Sequence, residues 1–162
     1  MDSPIQIATA VSILANHGLH IRPHLGLAYR PDKNSKLDYF EPEVVGTVPV
    51  QKKSNWDAVF DGMIAVVNSP RGTARHIARG AKFTIAGKTG TAQVFGIAQG
   101  ERYDKKNLAE RLRDHALFIA FAPAEDPQIA VACIVENGES GGGVAAPIVR
   151  AVLDAYLSKN PG

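Results

Sequence analysis

The 162 residues suffice for one modest hydrophobic core, and an apolar share of 45% with a charged share of 21% is that of an ordinary globular domain. A net charge of +2, with the lysines and arginines scattered along the chain, argues against a nucleic-acid surface, and the single cysteine, Cys133, excludes an internal disulfide. No stretch approaches the ~20 apolar residues of a membrane span, and Met1-Asp2-Ser3-Pro4 has neither the basic nor the apolar part of a signal peptide.

The first element is a helix over about 4–16. Ser3 and Pro4 suit its cap and first position, Ile7, Val11 and Leu14 recur at helical spacing, and Gly18 falls where it should stop. Residues 19–54 carry Pro23, Pro31, Pro42 and Pro49 and read as an irregular wrap with brief strands, such as Gly46-Thr-Val-Pro-Val50. His17, His20 and His24 fall here, but Gly18 and Pro23 break any regular face and no carboxylate lies among them, so no metal site is expected. Ser54-Asn-Trp-Asp57 resembles a capping box with aspartate for glutamate. It opens a helix over about 55–68 whose stripe of Trp56, Val59, Phe60, Met63, Ile64 and Val67 faces a core. Trp56, at the head of that stripe, reads as a packing residue.

After the turn Asn68-Ser-Pro-Arg-Gly-Thr73, Thr73 is expected to cap a short helix over about 74–79. A strand follows over about 83–94. Residues 96–115 are polar and read as a surface loop with a helical turn or two, marked by Leu108 and Leu112. Ala116–Ala122 and Gln128–Val135 are apolar runs joined by Pro123-Ala-Glu-Asp-Pro127, the pattern of an antiparallel hairpin covered on both faces. Cys133 lies in the second run and reads as a small buried hydrophobe. Gly138 and the Gly141–Gly143 triplet read as a flexible joint before a last helix over about 144–158. Segregated helices and strands indicate an α+β fold, an antiparallel sheet of three main strands packed by helices.

The chemistry concentrates in Gly87-Lys-Thr-Gly-Thr91. A phosphate-binding loop ending in Gly-Lys-Thr would need a glycine at position 82, which is Lys82, and a helix after the threonine, where the sequence continues as a strand. On a strand, Lys-Thr-Gly is instead a signature of active-site-serine acyl transferases. Lys88 would supply a fixed positive charge beside a serine nucleophile or a substrate carboxylate. The Thr89 hydroxyl would bind that carboxylate, and Gly90 would let substrate lie close to the strand. The Thr91 N–H would face the developing oxyanion.

Further segments resemble one family. Asp61-Gly-Met-Ile-Ala-Val-Val-Asn68 and Gly72-Thr-Ala74 look like the helix and turn ahead of this strand in class B penicillin-binding proteins. Ala109-Glu-Arg-Leu-Arg-Asp-His115, Ala120-Phe-Ala-Pro123 and Val135-Glu-Asn-Gly138 are similar to the penicillin-binding protein 2 group, the elongation-specific D,D-transpeptidases. Ser3-Pro-Ile-Gln6 resembles the start of the helix after that family's active-site glycine turn. The resemblance covers essentially the whole chain and implies the penicillin-binding-protein/serine β-lactamase-like fold. It implies peptidoglycan stem peptides and β-lactams as ligands, no metal or organic cofactor and no nucleic acid. For the parent protein it implies an elongation glycosyltransferase as partner and a place at the periplasmic face of a bacterial inner membrane.

The family's other two motifs are absent. No serine has a lysine three positions later, and the one Ser-x-Asn match, Ser158-Lys-Asn160, follows the Lys-Thr-Gly strand instead of preceding it. Residues 1–162 are therefore expected to be the C-terminal portion of one transpeptidase domain, without its nucleophile or membrane anchor, and inactive alone. The edge of the strand at 128–135 is expected to lack its partner and to favour self-association. The rival expectation is a non-catalytic ligand- or partner-binding module of the same fold, which upstream sequence would separate from the first.

Overall fold

The computed structural model describes residues 3–94 and 109–159. Helix α1 (Pro4–Ala15) starts as its sequence directs: Pro4 takes the first helical position, and the Gln6 side-chain oxygen accepts the Ser3 backbone N–H at 2.7 Å. It ends in a Schellman closure, with the Gly18 N–H on the Ile13 carbonyl at 2.8 Å and the His17 N–H on the Leu14 carbonyl at 2.9 Å. The left-handed residue of that closure is His17, at φ 51°, followed by Gly18 at φ 97°. A side chain at Gly18 would stand 2.9 Å from both the Trp56 ring and the Val48 carbonyl, so the glycine makes room for the tryptophan. Trp56 is buried, as a packing residue should be.

The wrap forms two short antiparallel ladders, β1 (Leu19–Ile21) with β4 (Val44–Thr47) and β2 (Ala28–Tyr29) with β3 (Asp38–Tyr39). The strand expected at 46–50 lies earlier because Pro49 has no N–H for a ladder; the Val48 N–H, on the Gly18 carbonyl at 2.8 Å, is the last such bond. Helix α2 (Ser54–Asn68) does not use the expected capping box. Lys53 is itself in helical conformation, and the Asn55 and Trp56 N–H groups reach the Lys52 and Lys53 carbonyls at 3.0 Å, leaving Ser54 nothing to cap. The short helix expected over 74–79 is a 3-10 turn, Arg75–Ala78, preceded by Ala74 and not capped by Thr73.

The sheet consists of β5 (Ala86–Ala92), β6 (His115–Ala122) and β7 (Ile129–Val135), all antiparallel, with β6 central. Its alternation divides the core in two. Ala116, Phe118, Ala120 and Ala122 face Val67, Ile77, Ile85 and the inner face of helix α3 (Ala146–Lys159), which presents Val149 and Leu153. Phe121 and Ile119 face the other way, onto Val11, Ala15, Met63 and Phe60 of α1 and α2. Both faces of the hairpin are thus covered. Cys133 is half-buried against the α3 side, and burial pushes its thiol pKa up.

The Asn68 side-chain amide donates to the Ile64 carbonyl at 2.9 Å and to the Ile85 carbonyl at 2.8 Å, tying the end of α2 to the start of β5. Arg150 of α3 bonds the carbonyls of Ile77 and Arg79, pairs with Asp154 at 2.8 Å and lies 5.9 Å from the Phe83 ring centre, holding the segment that feeds β5. Of the expected loop at 96–115, residues through Leu108 lie outside the described ones, and Glu110–Leu112 forms a 3-10 turn. The glycine triplet opens a wide π-turn, Gly141–Ala145, which runs straight into α3.

Candidate active site

All four predicted residues lie on β5. Register puts Lys88 opposite Ile119 and Gly90 opposite Leu117, on the α1–α2 face, whereas Thr89 opposite Phe118 and Thr91 opposite Ala116 belong to the α3 face. Lys88 and Thr91 are exposed; Thr89 and Gly90 are half-buried. Among the described residues, β5 pairs with β6 alone, so its other edge carries no strand. The Lys88 ammonium curls back to donate to the Thr89 carbonyl at 2.7 Å. Because main-chain groups alternate in direction along a strand, the Thr91 N–H, two residues on, points to the same side as the Thr89 carbonyl. β5 therefore carries a cation, a hydroxyl and a main-chain donor within four residues, with Lys88 and Thr89 on opposite faces of the strand.

What fixes this strand from behind was not read in the sequence. A Cβ at Gly141 would lie 2.4 Å from the Leu117 carbonyl and 2.6 Å from that of Gly90; one at Gly142 would lie 2.7 Å from the Thr73 carbonyl and 3.6 Å from the Thr89 methyl. The triplet expected to be a flexible joint is instead packed against the back of β5. Ser140 anchors it by accepting the Gly143 N–H at 2.9 Å. The Thr73 hydroxyl, expected to cap a helix, sits 3.4 Å from the Thr89 hydroxyl. The available signal was the triplet itself, since successive glycines ahead of a helix mark close backbone approach as readily as flexibility. Gly90 also has a packing reason, because its Cβ would stand 3.1 Å from that of Leu117.

At the far end of the hairpin, the Asn137 N–H reaches His115 Nδ1 at 3.0 Å and its amide reaches the Arg113 carbonyl at 2.9 Å, closing β7 back onto the entry to β6. The three histidines of the wrap region are dispersed: His17 stacks on Phe60 with ring centres 4.5 Å apart, His20 is in β1, and His24 Nδ1 meets the Gly26 carbonyl at 2.6 Å. Among the described residues no cluster of histidine, cysteine or carboxylate side chains could hold a metal. No helix among them is long and apolar enough to cross a membrane.

An antiparallel sheet between packed helices, with Lys-Thr-Gly-Thr along a free strand edge, is the arrangement of the serine acyl transferases. The penicillin-binding protein transpeptidase domain matches residues 2–154, and the chain belongs to that family. Within it, the chain is 44% identical to the peptidoglycan D,D-transpeptidase MrdA of Acinetobacter baumannii, over 98% of its own residues and 23% of the relative's. It is similar in structure to Pseudomonas aeruginosa PBP2 in complex with WCK 5153, at a TM-score of 0.74 and 44% identity, over 96% of this chain and 30% of that one. A ceftriaxone acyl-enzyme complex of penicillin-binding protein A from Mycobacterium tuberculosis matches at a TM-score of 0.72 and 28% identity, over 95% of this chain and 32% of that one. The chain spans about a quarter of the length of the curated relatives it matches.

Proposed function

We propose that these residues are the C-terminal part of a peptidoglycan D,D-transpeptidase and form one wall of its acyl-transfer cleft. The observation that carries this reading is β5 itself, where Lys88, Thr89 and Thr91 lie within four residues on a strand whose second edge is unpaired among the described residues. In the reaction, a serine oxygen from the opposite wall attacks the carbonyl of the penultimate D-alanine of a stem peptide. The peptide bond breaks, the terminal D-alanine leaves with the proton, and the acyl group stays on the serine as an ester. An amine of a neighbouring stem then takes the acyl group and frees the serine. Lys88 stabilises negative charge at the serine and at the donor's terminal carboxylate. Thr89 binds that carboxylate, Gly90 admits the substrate backbone, and the Thr91 N–H stabilises the oxyanion. A β-lactam enters as a mimic of the same end and stops at the acyl-serine. The parent works at the periplasmic face of the inner membrane beside an elongation glycosyltransferase.

No Ser-x-x-Lys occurs in the 162 residues, so the chain alone takes no covalent label from a fluorescent penicillin, whereas the intact parent takes one per molecule. In the parent, Lys88→Ala slows acylation by about 10²-fold, the usual scale for removing one preorganised electrostatic group. Stoichiometric labelling of the 162-residue chain, or a parent indifferent to Lys88→Ala, would refute the assignment.

A further inference from the structure

From Gly62 to Gly100 the sequence contains no aspartate or glutamate, while Arg71, Arg75, Arg79, Lys82 and Lys88 all fall in that span. These cations look scattered in sequence, but the fold gathers some of them. Between the end of α2 and the 3-10 turn lies an open cavity of about 480 Å³ whose wall includes Arg75, His76 and Arg79, with Asn68, Ser69 and Pro70 opposite. The polar side chains opposite are committed: Asn68 donates to the Ile64 and Ile85 carbonyls, and the Ser69 hydroxyl donates to the Ala65 carbonyl at 2.6 Å. The arginines are not. The side-chain ion pairs of the described residues are Arg22–Glu43 and Arg150–Asp154, and neither Arg75 nor Arg79 has a carboxylate partner among them.

Arg75 and Arg79 both line the cavity and are exposed, so an anion seated there is attracted by both charges. Guanidinium forks match the two oxygens of a carboxylate, and charge-assisted bonds of this kind are stronger than neutral ones. The cavity adjoins the candidate site through a single tight turn. The Gly72 N–H bonds the Ser69 carbonyl at 3.0 Å, the Ala74 N–H bonds the Val66 carbonyl at 3.0 Å, and Thr73 between them touches Thr89. A polyanion is a poor fit for so few cations on a chain of net charge +2.

We infer that this cavity is an accessory subsite for a side-chain carboxylate of an acidic peptide whose acyl-donor end lies along β5. The inference rests on the transpeptidase reading and adds that Arg75 and Arg79 select acidic stems. It is tested in the intact parent with two synthetic peptides ending in D-Ala-D-Ala, one with internal glutamates and one with glutamines in their place. The wild type favours the glutamate peptide by about tenfold in kcat/KM, the difference lying in KM. Arg75→Gln with Arg79→Gln abolishes that preference, and Arg75→Lys with Arg79→Lys keeps most of it. Equal kcat/KM for the two peptides in the wild type overturns the inference, as does a preference undiminished in 0.5 M salt or in the double glutamine variant. A wild-type parent that takes no label from fluorescent penicillin overturns the transpeptidase reading itself, and this assignment with it.

Discussion

The three-stranded sheet and the wrap over 19–50 both carry large apolar side chains, yet they are held together differently. Phe118, Phe121, Ile85, Val149 and Leu153 of the sheet half have no exposed surface, whereas Leu25 of the wrap is 96% exposed and Leu27 is 74% exposed. No residue from 19 to 55 is buried. Two short ladders, the Arg22–Glu43 pair and the ring contacts of His24 and Tyr29 with Phe40 are what order the wrap. The site stands on the densely packed half. Local opening should begin in the wrap and leave β5 in place.

Substitutions in the two regions test that contrast. Phe121→Ala removes the ring that joins Phe60 and the α1–α2 core to β6, and should lower unfolding free energy by about 3–5 kcal/mol, measured by urea titration. Leu25→Ala should leave the midpoint unchanged within error; comparable losses in the two variants would erase the distinction. Gly141→Ala forces a methyl against two carbonyls and should cost about 1–3 kcal/mol, with the shift largest in amide signals of β5 and β6. The outer edge of β7, which pairs only with β6 among the described residues, should drive the 162-residue chain into dimers at high concentration. Light scattering that reports a monomer throughout would remove the edge as a contact.

The smallest effect belongs to the wrap. The hydrogen bond and charge of Arg22 hold the Glu43 carboxyl below its ordinary range. A lowered carboxyl stabilises the fold above its unfolded pKa, and that gain is lost as pH falls through the lowered folded value. Because both side chains are exposed, Glu43→Gln should barely alter the acid limb of the stability curve, and 0.5 M salt should abolish the difference.

Elements with strong periodicity were legible from the residues. The spans of α1 and α2, the hairpin of β6 and β7, and the strand carrying Lys88 all lie within a few residues of their sequence expectations. The family resemblance, read from Lys-Thr-Gly and the later motifs, agrees with the transpeptidase match over 2–154. What escaped depends on backbone conformation and on contacts that residue type alone does not reveal. Ser54 looked like a cap because nothing local reveals that Lys53 is already helical. Thr73 looked like a cap because its partner, Thr89, lies sixteen residues on. Arg75 and Arg79 looked scattered because the sequence does not show that the 3-10 turn sets both beside one cavity.

The glycines packed behind β5 constrain how this family member can diverge. At 141 and 142 even one added carbon meets main-chain atoms, which cannot swing aside as a side-chain tip can. The rear of the strand is thus closed to gradual remodelling, and variation that retunes the candidate site has its room at the exposed Lys88 and Thr91.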